Sequence, residues 1–235
     1  MEIFRSKTQD DAAEHAAEAL TELLKAAKDS GILLLLSGGS ALKILDYVDE
    51  DAVGENLTLS VVDERFSADP ETNNFAQIQN TSFYTLAQDK GASFIGTLPR
   101  PGETLAQISQ RFERALRNWR AENPEGKIFA VLGMGADGHT AGIFPLPGNE
   151  QEFNRLFVSQ NWVTGYDNGG QKMPSERFTA TLALLALVDS AIIFVTGKEK
   201  HEKLLLAAKK QGKLHELPAL CWHRLKQARV YTDLP

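Results

Sequence analysis

The chain has 235 residues, 43% hydrophobic and 24% charged, enough apolar material for a soluble globular protein to bury a sizeable core. Its formal net charge of −6 argues against sequence-independent nucleic-acid binding, which needs a basic face, but leaves room for a local basic pocket that takes a small anion. The one cysteine, Cys221, excludes an intramolecular disulfide and a Cys-rich zinc site, and no apolar run reaches the roughly 20 residues that span a bilayer.

The first residues, MEIFRSKTQDD, lack a charged-then-apolar leader, so the expectation is a cytoplasmic, unprocessed, full-length chain with no membrane partner. From Thr8 to Lys28 apolar residues recur three or four apart (Ala13, Ala16, Leu20, Leu23 or Leu24, Ala27), which predicts an amphipathic helix ended by Gly31. Ile32 to Leu36 reads as a strand buried on both faces, and Ala41 to Tyr47 can start a helix after it. A second strand, Leu57 to Val62, ends in Asp63-Glu64-Arg65. Ser93 to Leu98 is a weaker strand candidate, and Thr104 to Arg120 is helical with Leu105, Ile108, Phe112, Ala115, Leu116 and Trp119 on one face. Strands at Ile128 to Leu132 and Ala191 to Thr196 follow, then a helix over Lys198 to Lys210 and a short closing strand at Arg229 to Thr232. The stretch from Pro145 to Pro174 is the least regular and is expected to loop over the rim of the sheet. Buried strands between amphipathic helices predict an α/β fold, a mainly parallel sheet covered by helices on both faces in a Rossmann-like three-layer arrangement. With no repeat and no low-complexity linker, residues 1–235 read as one domain.

Ligands of open parallel sheets bind beyond the carboxyl ends of the strands. Four segments put polar or glycine-rich residues there. Ser37-Gly38-Gly39-Ser40 can turn sharply and present free N–H groups to an anion, although it lacks the Lys-Ser/Thr ending of a P-loop and fits a plain strand-to-helix turn as well. Asp63-Glu64-Arg65, followed by Asn73-Asn74, is either a surface ion pair or a guanidinium aimed at an oxyanion or carboxylate. In Gly133-Met134-Gly135-Ala136-Asp137-Gly138-His139-Thr140 a carboxylate and an imidazole flank a glycine, so both can approach one point. A carboxylate fixes the tautomer of such an imidazole and raises its basicity; the alternative is an N-capping Asp beside a buried His. In Thr196-Gly197-Lys198-Glu199-Lys200, lysines in a first helical turn oppose the dipole unless an anion or Glu199 and Glu202 compensate. Arg177 is a further cation, at the start of an apolar segment. His15, His201, His215 and His223 show no metal-ligand arrangement, and Trp119, Trp162 and Trp222 fit the core or its rim.

The string GMGADGHTAGIFP at Gly133–Pro145 resembles the 6-phosphogluconolactonase family, which is related to the glucosamine-6-phosphate deaminases. The resemblance extends, in matching order, to Ser37–Ser40, Asp63–Arg65, Pro174–Thr181 and Thr196–Lys200, nearly the whole chain. It implies hydrolysis of 6-phospho-D-glucono-1,5-lactone in the pentose phosphate pathway, with a small phosphorylated sugar lactone as partner, no metal or organic cofactor, and a monomer or homodimer. By motif position it implies that His139 is the general base, Asp137 its partner and Arg65 the cleft arginine. It implies phosphate anchors at Ser37, Gly38, Gly39, Ser40, Arg177 and Lys200. Asp63, Asn74, Gly135 and, by a looser match, Lys172 complete the expected substrate site.

Ser40 is followed by Ala41-Leu42 where the family usually continues Thr-Pro, so a hydroxyl is lost; Phe66 leads into Ser67-Ala68 rather than Val-Pro, and Asn73-Asn74 stands for the usual Ser-Asn. The lost hydroxyl is the best support for a rival reading, a non-catalytic sugar-phosphate binder of the same fold. The deaminases resemble the histidine loop but carry a glutamate five residues after the histidine, where this chain has Phe144, and Asp-Glu-Tyr where it has Asp63-Glu64-Arg65. Both differences favour the lactonase over the deaminase.

Overall fold

A computed structural model describes residues 1–235. In chain order the elements are β1 (Glu2–Arg5), α1 (Gln9–Ala26), β2 (Ile32–Leu36), β3 (Leu57–Val61), β4 (Asp63–Arg65), α2 (Asn74–Gln79), α3 (Ser82–Asp89), β5 (Ser93–Phe94) and α4 (Leu105–Glu122). They continue with β6 (Lys127–Gly133), α5 (Glu150–Phe157), β7 (Val163–Asp167), β8 (Glu176–Ala180), α6 (Leu182–Leu185), β9 (Ser190–Phe194), α7 (His201–Ala208) and β10 (Ala228–Thr232).

Local chemistry sets the long helices. Thr8 caps α1 through a reciprocal pair with Asp11, and Thr104 caps α4 through the same pair with Gln107. The apolar stripe of α4 buries Ile108, Phe112, Leu116 and Trp119, and the Trp119 indole N–H donates to Thr58 Oγ1 of β3 (3.1 Å). Every residue of β2, β3 and β9 is buried, as strands covered on both faces must be.

Seven strands form a parallel sheet in the order β1-β10-β9-β6-β2-β3-β5. From β2 the chain first adds strands on one side (β3, β5), then returns to β2's other side for β6 and β9. The crevice between the ends of β2 and β6 is therefore the topological switch point, where doubly wound sheets bind ligands. A second, antiparallel sheet runs β4-β8-β7, with Arg65 opposite Arg177 and Thr179 opposite both Asp63 and Thr164.

The parallel three-layer expectation holds for the central sheet. Several local expectations need correction. Asp63–Arg65 does not end β3: the parallel strand stops at Val61, and the next three residues join β8 instead. The Pro145–Pro174 stretch is not all loop. It contains α5, capped by Asn149, and β7, which pairs with β8 alone. Ala41–Tyr47 belongs to a tighter 3-10 helix starting at Gly39, and Ser93–Leu98 shortens to the two residues of β5. Lys198–Lys200 form a 3-10 turn ahead of α7, which ends at Ala208. The edge strand β1 was not foreseen.

Candidate active site

A cleft of about 360 Å³ opens at the switch point, within the range of small-molecule sites. One wall is the Ser37–Ser40 loop, the next is the Gly133–Gly142 loop, and the third comes from β4 and its neighbours. Of the expected site residues, Ser37, Gly38, Gly39, Ser40, Asp63, Arg65, Asn74, Gly135, His139, Lys172 and Lys200 all border it. Asp137 and Arg177 do not.

Asp137 stands behind the histidine. Its Oδ1 lies 2.5 Å from His139 Nδ1 and accepts the His139 backbone N–H at 3.1 Å. Burial pushes the Asp137 carboxyl up, but the hydrogen bond and charge of His139 outweigh it and leave the pKa below the usual carboxylate value. With Nδ1 engaged, Nε2 is the free ring nitrogen, and the imidazole keeps 18% side-chain exposure toward the cleft. The loop is closed on itself by Gly135 N–H to His139 carbonyl (2.9 Å) and Gly138 N–H to Gly135 carbonyl (2.9 Å). Gly135 must be glycine here, since a Cβ would fall 2.1 Å from the imidazole. Phe144 stacks on that ring, 4.4 Å away and 14° from parallel.

Trp222, fully buried, buttresses the loop from a 3-10 segment, Pro218–Arg224. Its indole N–H donates to Thr140 Oγ1 (3.2 Å), which in turn donates to the Gly133 carbonyl (2.7 Å). The Ala219 N–H from the same segment reaches the Gly138 carbonyl (3.1 Å).

The third wall is organised by a residue not foreseen as part of the site. Glu64 is wholly buried, and its carboxylate accepts the N–H groups of Arg65, Asn74 and Phe75 and the hydroxyl of Thr97, at 2.6–2.9 Å. It thereby ties β4 to the start of α2. Burial drives its carboxyl up to about 7 against the pull of those four donors. Arg65 donates from Nη1 to the Thr72 carbonyl (2.8 Å), leaving its buried Nε unpartnered. Asn74 donates to the Asp63 carbonyl (2.8 Å) and packs so closely on Gly38 that a Cβ there would lie 2.0 Å from its Oδ1. Burial also raises the Asp63 carboxyl, against the cations Arg65 and Arg177.

The 3-10 helix after Gly38 has no side-chain cap, so the leading N–H groups of a segment whose first residues border the cleft are left for a ligand. Ser37 Oγ is buried without a partner. Lys172 arrives on the β7–β8 hairpin loop, and burial lowers the pKa of Lys200. Glu199 also borders the cleft, where the sequence had suggested only a balancing surface charge. Arg177 sits between two rings of influence: it faces Arg65 across the β4–β8 ladder, and its guanidinium lies 5.2 Å from the Phe144 ring centre. It is 4% exposed, its side chain donates no hydrogen bond within the protein, and burial and Arg65 together lower its pKa.

Fold and cleft thus define a doubly wound α/β protein with a cation-rich small-molecule site at its switch point. A family model described as glucosamine-6-phosphate isomerases/6-phosphogluconolactonase matches residues 7–231, and the chain belongs to that family. The probable 6-phosphogluconolactonase 1 of Arabidopsis thaliana is 28% identical over 193 residues, covering 74% of this chain and 67% of the relative. The 6-phosphogluconolactonase of Pseudomonas aeruginosa is 28% identical over 188 residues, covering 79% and 75%. The fold is shared with the crystal structure of a 6-phosphogluconolactonase from Shewanella baltica, at a TM-score of 0.77 and 19% identity over 99% of this chain and 97% of that one.

Proposed function

We propose that this chain hydrolyses 6-phospho-D-glucono-1,5-lactone to 6-phospho-D-gluconate, in the oxidative branch of the pentose phosphate pathway and in the cytoplasm. The observation that carries the proposal is the Asp137–His139 pair, with its free Nε2 bordering the same cleft as Arg65, Lys172, Lys200 and the uncapped glycine loop. Phe144 at the place of the deaminases' glutamate is buried and stacked on the imidazole, so no carboxylate stands there for ring opening. One hydrophobic cluster of 64 buried residues draws on both sheets, which supports the reading of residues 1–235 as one domain.

In the mechanism, His139 Nε2 takes a proton from a water while the water oxygen bonds to the lactone carbonyl carbon. Asp137 holds the ring's orientation and balances the imidazolium. Arg65 meets the charge on the carbonyl oxygen. The bond from that carbon to the ring oxygen then breaks, and the proton on His139 passes to the ring oxygen, so one water is added in all. The product acid ionises at neutral pH. Ser37–Ser40 and Lys200, which border the cleft, anchor the phosphate at the far end of the sugar, and that remote binding energy positions the ester.

The test is acid release from fresh lactone above its spontaneous background. Wild type should exceed it, and His139→Ala should lose about 10²–10⁴-fold in kcat with the fold intact. Near-normal turnover in that variant removes His139 from the mechanism. Ammonia release from glucosamine 6-phosphate, run in parallel, is expected to be absent.

A further inference from the structure

Directly after the histidine, over residues 140–143, the chain makes a left-handed turn. The Ile143 N–H donates to the Thr140 carbonyl (2.8 Å), and the two residues between them have φ of 50° (Ala141) and 65° (Gly142). Positive φ at both central positions is the mirror-image turn, a backbone that alanine rarely adopts. Such a residue persists only where its surroundings over-determine it. Here the antiparallel sheet supplies the constraint. Thr179 Oγ1 of β8 donates to the Ala141 carbonyl, and the Tyr166 hydroxyl of β7 donates to the Gly142 carbonyl. Both donors are buried and neither borders the cleft.

A trans peptide points its N–H opposite to its C=O. With the Ala141 carbonyl drawn back to Thr179, the Gly142 N–H is turned away from β8. With the Thr140 carbonyl held by Ile143 inside the turn, the Ala141 N–H is turned out of it. Neither N–H donates to any group of the protein, and both residues border the cleft together with His139. Buried or half-buried N–H groups are almost always paired, so two adjacent free ones beside the general base are groups waiting for an acceptor.

We propose that the N–H groups of Ala141 and Gly142 form the oxyanion hole for the lactone carbonyl, with Thr179 and Tyr166 as the positioning residues that aim them. As the water oxygen bonds to the carbonyl carbon, the C=O π pair moves onto the carbonyl oxygen, and two fixed dipoles meet that charge without reorganising. When the bond to the ring oxygen breaks, the pair returns to re-form the C=O. Arg65 contributes a net charge, whereas the turn contributes direction. The assignment rests on the lactonase reading above.

Three changes test it by steady-state lactone hydrolysis. Replacing the Gly142 residue by its ester analogue through semisynthesis deletes one N–H and leaves every side chain in place; kcat should fall about 10²–10³-fold with KM little changed. Thr179→Val, which frees the Ala141 carbonyl, should lower kcat in the same manner by about 10-fold or more, and Thr179→Ser should restore most of it. A kcat within twofold of wild type in the ester protein overturns the proposal, as does a change confined to KM, which would make the pair a ground-state contact. Should Thr179→Val fail to fold, the ester protein decides alone. Absence of turnover in the unmodified chain instead removes the lactonase reading itself, and the oxyanion assignment with it.

Discussion

Glu64→Gln perturbs the hub of the third wall with almost no change of shape. The carboxylate takes four donors, two on each oxygen: Arg65 and Asn74 on Oε1, Phe75 and Thr97 on Oε2. An amide turned to keep Oε1 puts its NH₂ against the Phe75 N–H and the Thr97 hydroxyl. Thr97 can rotate and accept, but the Phe75 N–H cannot, so one buried donor is left unmatched at a cost of about 1–3 kcal/mol. The size of the loss depends on pH. The Glu64 carboxyl ionises at the ordinary 4.5 in the unfolded chain and at about 7 in the folded one. Between those values the folded protein holds a proton that the unfolded chain releases. This group's contribution is therefore complete below 4.5 and declines as pH rises through about 7, by about 3 kcal/mol in all. The variant has no such proton. At pH 5 the protonated carboxyl meets the same donors with its own O–H, so urea unfolding of both proteins at pH 5, 6, 7 and 8 should find whatever lead wild type has over Glu64→Gln shrinking or reversing as pH rises. A gap that widens with pH would mean that the four donors outweigh burial and hold the carboxylate ionised in the folded state, and the reasoning would fail.

Gly38→Ala puts a Cβ 2.0 Å from Asn74 Oδ1 and must displace the buried Asn74 from the Asp63 carbonyl; kcat/KM should drop by up to about 100-fold, and urea unfolding should show a loss of about 1–3 kcal/mol. Phe144→Leu keeps the core filled but removes the ring stacked on His139, so it should cost about 0.5–1.5 kcal/mol in stability and lower kcat more than KM as the imidazole loses its fixed plane. Arg177→Met removes a buried guanidinium that faces another cation and makes no hydrogen bond. Its ligand-free stability should match or exceed wild type in the thermal melt, and a loss of more than about 1 kcal/mol would mean that the guanidinium has a partner after all.

The parallel sheet was legible because each of its inner strands is a short apolar run bounded by turn residues, and burial on both faces leaves that mark in Ile32–Leu36 or Ile128–Leu132 alone. The antiparallel sheet was not. Asp63–Arg65 is all charge, and Val163–Asp167 is interrupted by Gly165, which sits under Ser109 and Leu105 with no room for a Cβ. Neither carries an alternating apolar pattern, because β4 is held by β8 and α2, and β7 by β8 and α4, rather than by a hydrophobic face of their own. The site divides in the same way. Asp137 and His139 announced themselves by spacing, as did the glycines. Glu64 was read only as part of a charged triplet, since nothing local says that its four donors come from residues up to 33 positions away. Thr179 and Tyr166 carried no mark: the first lay in an apolar segment and the second in the stretch expected to loop over the rim of the sheet. Their hydroxyls matter only because β7 and β8 pass behind the histidine loop, which is a fact of topology rather than of motif.

That topology gives the two ends of the cleft to different structural units. The parallel sheet delivers the histidine loop at the end of β6 and the glycine loop at the end of β2, and these strands are neighbours whose register fixes Leu36 beside Val131. The antiparallel sheet delivers Asp63, Arg65 and the Lys172 hairpin. A single residue, Val62, carries the chain from one sheet into the other, and its carbonyl accepts the Ala180 N–H (2.9 Å), stitching β8 to the end of β3. The histidine loop closes the circuit. It is anchored to the parallel side by Thr140 on the Gly133 carbonyl and to the antiparallel side by Thr179 and Tyr166 on the carbonyls of Ala141 and Gly142. The histidine loop is thus held against both sheets by buried hydroxyls on its carbonyls, which fixes its backbone relative to β4 and Arg65. For the proposed hydrolysis, which needs a water, an ester carbon and a cation placed within a few tenths of an ångström, that rigidity is what the second sheet contributes.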